Sequence, residues 1–145
     1  MMSRDFISGG RTDLALLILR LVTGFAFAFH GWQKVAQMGM PAMVGFFGKV
    51  GVPLPGVLAP VVSYVELIGG ILLMAGFFFR YLPRLFVIDM AGAIFFVHGK
   101  NGYSMEHMGF EYVLALLAMS AALSLLGPGA LSIDGMLRKR QATRT

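Results

Sequence analysis

The 145-residue chain contains no cysteine. Disulfides, thiolate nucleophiles, Cys-bound zinc and Cys-ligated iron–sulfur clusters are therefore excluded within it, and the redox character of its compartment is not readable from thiols. Charge is scarce: 13% of residues are Asp, Glu, Lys or Arg, against 57% hydrophobic. A water-soluble domain of this size needs more polar surface than that. The net charge of +5 does not point to nucleic acid. Much of it lies in Arg138, Lys139, Arg140 and Arg144, directly behind an apolar segment. Basic residues so placed anchor a helix at a membrane surface. No small-x-small site followed by a polar mature chain marks a cleaved leader, so the first apolar run is expected to be an uncleaved span.

What is present is apolar length. Four stretches stand out, 13–34, 57–79, 82–98 and 109–127. Crossing a bilayer takes about 20 apolar residues at ~1.5 Å each. The last two stretches are short, and Arg84 lies near the start of the third, which snorkelling or local thinning accommodates. Pro53-Leu54-Pro55-Gly56, Arg80-Tyr81-Leu82-Pro83 and Gly127-Pro128-Gly129 punctuate the series. The expected fold is an all-α membrane protein: one domain, a four-transmembrane-helix antiparallel bundle. The connection 35–56 holds an apolar stretch opening at Pro41 that is too short to cross. A short interfacial helix between the first two spans is expected there. Met38, Met40 and Met43 within it read as adaptable packing rather than a copper site. With four spans, one side carries Arg4, Arg11, Arg80, Arg84, Arg138, Lys139, Arg140 and Arg144, and the other Lys34, Lys49 and Lys100. That bias puts both termini in the cytoplasm.

Each span carries one ionisable residue: Arg20, Glu66, Asp89 and Glu111. Such a residue is costly in lipid and faces the bundle interior. Small residues share its helical face: Gly24 and Gly31 with Arg20, Gly69 and Gly70 beside Glu66, and Ala115, Ala118 and Ala122 after Glu111. These are the expected packing faces. Arg20 lies about 12 Å into its span and Asp89 about 10 Å in from the same side, with Glu66 near the midplane. An intramembrane charge network of Arg20 with Asp89, Glu66 or both follows; its simplest role is to hold the helices in register. At the outer ends, His30, Lys34, His98, Asn101 and Glu111 are expected to converge, because short antiparallel helices bring such ends together. Phe29, Trp32, Phe95, Phe96 and Tyr103 would wall that mouth. An apolar wall with a few polar groups suits a small-molecule pocket; a satisfied interfacial cluster is the plainer account of the same residues. His30, His98 and Glu111 are metal-ligand types, but no spacing specifies a metal site and none is assigned.

The same residues carry a resemblance. Leu19-Arg20-Leu21-Val22-Thr23-Gly24, Phe29-His30-Gly31-Trp32-Gln33-Lys34, Glu66-Leu67-Ile68-Gly69-Gly70 through Gly76 with Arg80, Asn101-Gly102-Tyr103, Gly109-Phe110-Glu111-Tyr112 and Gly127-Pro128-Gly129-Ala130-Leu131-Ser132-Ile133-Asp134 follow one another in the order of the DoxX family. The chain resembles that family of small bacterial inner-membrane proteins over nearly its whole length. The resemblance implies a four-helix inner-membrane protein. Family members are labelled oxidoreductases after one described as a subunit of a thiosulfate:quinone oxidoreductase. This chain departs from that chemistry in having no cysteine to carry sulfur. It also lacks a Gly-rich nucleotide loop in a strand–turn–helix setting.

Three functions are in view. The first is a membrane subunit supporting redox chemistry, with a quinone or small aromatic ligand at the mouth and His30, His98 and Glu111 handling protons. The second is a non-catalytic scaffold or assembly protein, and the third a small transporter. Against transport stand the lack of an internal repeat and of a well-marked broken helix. The expected partners are the lipid bilayer and either an oxidoreductase subunit or a second copy of this chain. No catalytic residue and no resident cofactor is assigned.

Overall fold

The computed structural model describes residues 10–142. Arg4, Arg144 and both chain ends, used in the charge bias, lie outside them. Among the described residues there are helices and no strands. They are α1 (Gly10–Trp32), α2 (Met40–Lys49), α3 (Pro55–Ala75), α4 (Leu82–Ala93), α5 (Glu111–Leu126) and α6 (Ile133–Ala142). A π-helical segment, Gln33–Met38, continues α1, and another, Ile94–His98, continues α4. Three continuous helical stretches are long and apolar enough to cross a membrane: Gly10–Met38, Pro55–Ala75 and Leu82–Asn101. α5 is apolar but shorter.

Local chemistry sets the boundaries. Pro55 and Pro83 sit in the first turns of α3 and α4, where a missing N–H leaves nothing unpaired. α3 ends at Ala75, short of Phe79, because Gly76 adopts the left-handed conformation (φ 69°). The Gly76 and Phe77 N–H groups then donate back to Leu73 and Leu72 carbonyls, both at 3.0 Å.

α1 and α3 pack antiparallel with their backbones in contact. A Cβ at Gly24 would lie 2.6 Å from the Gly70 carbonyl oxygen. One at Gly31 would lie 2.6 Å from Leu67 Cα. The Gly24–Ala28–Gly31 face thus receives Gly70 directly, the small-residue packing of membrane helices. α4 lies against α3, with Leu82 and Phe86 filling the space over Gly69. Phe86 also stacks on Phe27 of α1, ring centroids 3.8 Å apart. α5 closes the group through Val113, Leu116 and Leu123, and the Thr23 hydroxyl reaches Met119 Sδ at 3.7 Å. These contacts form one core. A second, smaller cluster holds Met43 and Phe47 of α2 against Ala59 of α3.

One expectation is corrected. The inward face of α5 is Val113, Leu116, Ser120 and Leu123. Ala115 and Ala118 are exposed, and Ala122 is half-buried. α5 is apolar all round, so its sequence holds no contrast from which a face could be read. The basic tail is helical. Residues 133–142 form α6, which starts on a Ser132 cap: its hydroxyl accepts the Gly135 N–H at 3.0 Å. Asp134 in the first turn and Lys139 and Arg140 in the last complement the helix dipole.

The two ends differ in charge. The basic end gathers Arg11, the 76–81 turn and α6, with Arg80, Arg84, Arg138, Lys139 and Arg140. The mouth end gathers Lys34, α2 and the 99–110 connection with Lys100.

Candidate functional site

Helical side chains lean towards the N-terminus of their own helix. This rule sorts the buried charges. α1 begins at the basic end, so Arg20 reaches back towards that end. Its guanidinium, 2% exposed, donates from Nε to the Met74 carbonyl (3.1 Å), from Nη1 to Pro128 (2.5 Å) and from Nη2 to Leu131 (2.6 Å). The expected ion pair of Arg20 with Asp89 or Glu66 is not formed. The depth expected from sequence was not sufficient, because the guanidinium is taken up by the Met74, Pro128 and Leu131 carbonyls. Around the guanidinium, Asp13 Oδ1 accepts the Ala130 N–H (2.7 Å) and Asp134 Oδ2 accepts the Phe79 N–H (2.8 Å). The Asp134 N–H donates to the Gly76 carbonyl (3.0 Å). Three segments distant in sequence, 13–20, 74–79 and 128–134, are thereby tied at the basic end.

The rule also explains the partner of Glu66. Lys34 leans back from the mouth towards the interior, and Glu66, on antiparallel α3, leans out towards the mouth. They meet as an ion pair with Glu66 3% and Lys34 19% exposed. The carboxyl of Asp89 on α4 lies beside Glu66, and its Oδ2 is buried without a hydrogen-bond partner. Tyr112 of α5 lies within the influence of the Glu66 charge and meets the His30 ring edge-on at 5.7 Å. The cluster therefore draws on α1, α3, α4 and α5. Lys34 stands in the first π-helical segment, whose wider turn shifts a residue away from its α-helical direction. The second π segment runs to His98.

The other mouth residues hold the connection between α4 and α5. His98 Nδ1 lies 2.8 Å from the Met108 carbonyl, and Asn101 Nδ2 donates to the same oxygen at 3.2 Å. Glu111 Oε2 accepts the Met105 N–H at 3.2 Å. His98 and Asn101 are brought together, whereas Glu111 turns to another part of the same loop. The aromatic residues do not close a common wall. Phe29 packs on Trp32 (5.8 Å), Phe95 on Phe96 (4.9 Å) and Tyr103 on Phe110 (5.5 Å). Phe95 is 79% exposed.

Among the described residues, no three His, Asp or Glu side chains cluster as metal ligands. The site is thus a Lys34–Glu66 ion pair with the Asp89 carboxyl beside it, bordered by a phenol and an imidazole, inside an apolar bundle. Such a group can exchange protons and bind a small polar head. Sequence reasoning missed Tyr112 as a member, although it stood beside Glu111. It also missed the backbone role of Asp13 and Asp134.

Comparison with known proteins accords with this architecture. The chain is 35% identical to "Putative oxidoreductase CatD" of Bacillus subtilis over 127 residues, 88% of this chain and 90% of that one. It is 27% identical to "Inner membrane protein YphA" of Escherichia coli over 136 residues, 90% and 96% of the two chains. With "Inner membrane protein YqjF" of Escherichia coli it shares 28% over 132 residues, 88% and 95%. No solved structure matches it. The DoxX family profile matches residues 15–99, a range holding Arg20, Lys34, Glu66 and Asp89. The chain belongs to the DoxX family.

Proposed function

We propose that the protein is a membrane subunit of a redox system in the bacterial inner membrane, and that the Lys34–Glu66–Asp89 cluster handles protons for a quinone-type ligand. The observation that carries this reading is the buried ion pair of Lys34 with Glu66, beside an Asp89 carboxyl whose Oδ2 is buried without a partner and near the His30–Tyr112 ring contact. Ionisable groups persist inside a membrane bundle where they work. Reducing a quinone to a quinol takes two electrons and two protons. A partner oxidoreductase supplies the electrons, and the cluster supplies and recovers the protons at the mouth end. The name of the Bacillus subtilis relative, an oxidoreductase, supports this class.

The test is titration of the purified protein with a short-chain quinone. Glu66→Gln and Lys34→Met are expected to weaken binding at least ~tenfold, about 1.4 kcal/mol. His98→Ala, which acts on the loop, is expected to leave it within ~threefold. Equal affinity in all four proteins would end the proposal. A second reading, a non-catalytic scaffold, is supported by Arg20, His98, Asn101 and Glu111, whose described bonds all go to backbone. It expects no quinone binding and a stable complex with other membrane proteins.

All four long helices, α5 included, are taken as spans, with α2 in the outer interface and both termini cytoplasmic. The arginine-rich end supports that orientation. The chain lacks cysteine, so single cysteines report cleanly. In intact cells, an impermeant maleimide is expected to label His107→Cys and to spare Gln141→Cys. The reverse pattern would invert the orientation.

A further inference from the structure

A cavity of about 500 Å³ opens at the basic end, between the α3–α4 turn, the end of α5 and α6. Arg80, Arg84 and Arg138 line it, with Phe79, Pro128 and Leu137 as its apolar side. Asp134 also lines it, but its Oδ2 is bonded to the Phe79 N–H. The three arginines come from different elements and are all exposed. Three arginines against the one Asp134 carboxylate leave the lining net positive, and like charges so gathered repel unless a further anion joins them. The guanidinium fork matches phosphate geometry. Beside the cavity, between its lining residues Ser124 and Gly127, Leu125 is 87% exposed and Leu126 is exposed as well. An apolar surface thus abuts a cationic one at the end of a helix.

We propose that this cavity holds the phosphodiester headgroup of an anionic phospholipid. The placement rests on reading α4 and α5 as spans, which sets the cavity at headgroup depth. Arg80, Arg84 and Arg138 grip the phosphate, and the acyl chains descend over the exposed leucines of α5. The shared chemistry with free phosphate is the phosphate group; the leucine surface is what selects a lipid.

The delipidated protein in neutral detergent is offered phosphatidylglycerol, phosphatidylcholine, glycerol phosphate or inorganic phosphate, and retention is read by native mass spectrometry. Phosphatidylglycerol is expected to be retained preferentially. Retention should fall roughly fivefold for each arginine removed in Arg84→Gln and Arg138→Gln. Arg84→Lys keeps the charge but loses the fork, and should weaken binding less than Arg84→Gln. Circular dichroism checks that each variant keeps its helices; any that does not is replaced by Arg80→Gln. Equal retention of phosphatidylcholine, binding of free phosphate or glycerol phosphate as tight as that of lipid, or arginine variants that match the parent would each overturn the proposal. Extraction of membranes at alkaline pH tests the spans separately, so failure of that reading is told apart from failure of the lipid site.

Discussion

Arg20→Leu is expected to destabilise the protein by at least ~3 kcal/mol, read as a shift in reversible unfolding in mixed micelles. Arg20 makes three charge-assisted bonds to carbonyls, each worth roughly 1.5–3 kcal/mol before non-additivity. One acceptor, Met74, lies in the last turn of α3, and the others, Pro128 and Leu131, lie in the connection between α5 and α6. Leucine fills part of the volume but leaves those oxygens without a donor in a buried corner. Arg20→Lys should restore only part of the loss, because an ammonium lacks the planar fork that serves three directions. Arg11→Gln, an exposed change on the same helix, should stay within ~0.5 kcal/mol of the parent. An Arg20→Leu protein less than ~1 kcal/mol below the parent would sink the idea that this residue ties the basic end.

The second large effect concerns the contact between α1 and α3. Gly31→Ala is expected to cost roughly 2–3 kcal/mol. The new methyl would lie 2.6 Å from Leu67 Cα, an atom of a helix backbone that cannot turn aside. The cost is net of alanine's advantage in helix propensity, about 1 kcal/mol. Gly92→Ala supplies the contrast. It lies in α4 with nothing within 4 Å of its added Cβ, so it should be neutral or up to ~1 kcal/mol more stable. Thermal unfolding of the two variants in one detergent makes the comparison, and equal effects would refute the backbone contact. Lys34 follows Gly31 by less than one turn. Pushing the helices apart there should also part Lys34 from Glu66, so quinone affinity should fall together with stability.

Much of this was legible in the sequence for identifiable reasons. Apolar length and Pro/Gly punctuation located the helices, and the Gly24, Gly31 and Gly70 faces marked the tight contact, since only small residues admit backbones so close. Partner choice was not legible. Depth along the axis put Arg20 level with Asp89, but the lean of helical side chains sends Arg20 to the basic end and Lys34 to Glu66. The π segment carrying Lys34 was also hidden, because a pattern read at a period of 3.6 contains no sign of a wider turn. His98, Asn101 and Glu111 looked like a site because they are polar residues at helix ends. The loop they flank has its own needs: Gly102 and Met108 both take positive φ, and their neighbours' carbonyl and N–H groups require partners. In α5, uniform apolarity left the buried face undetermined. That the basic tail is itself a helix was carried only by the Ser132 cap that starts α6.

The three bonds of Arg20 have a consequence for the order in which the protein is made. Their acceptors lie 54, 108 and 111 residues further along the chain. A ribosome delivers α1 first, so Arg20 enters the bilayer before any of those carbonyls exists. An unpartnered arginine near the middle of a helix is disfavoured by about 2.5–3.5 kcal/mol during insertion. α1 is therefore expected to wait in a shallow position with its arginine near the headgroups. It seats fully only after α3 and then residues 128–131 have been synthesised. A late segment of the chain is thus what fixes the first helix, and nascent chains cut short of Leu131 should remain loosely inserted and open to membrane proteases.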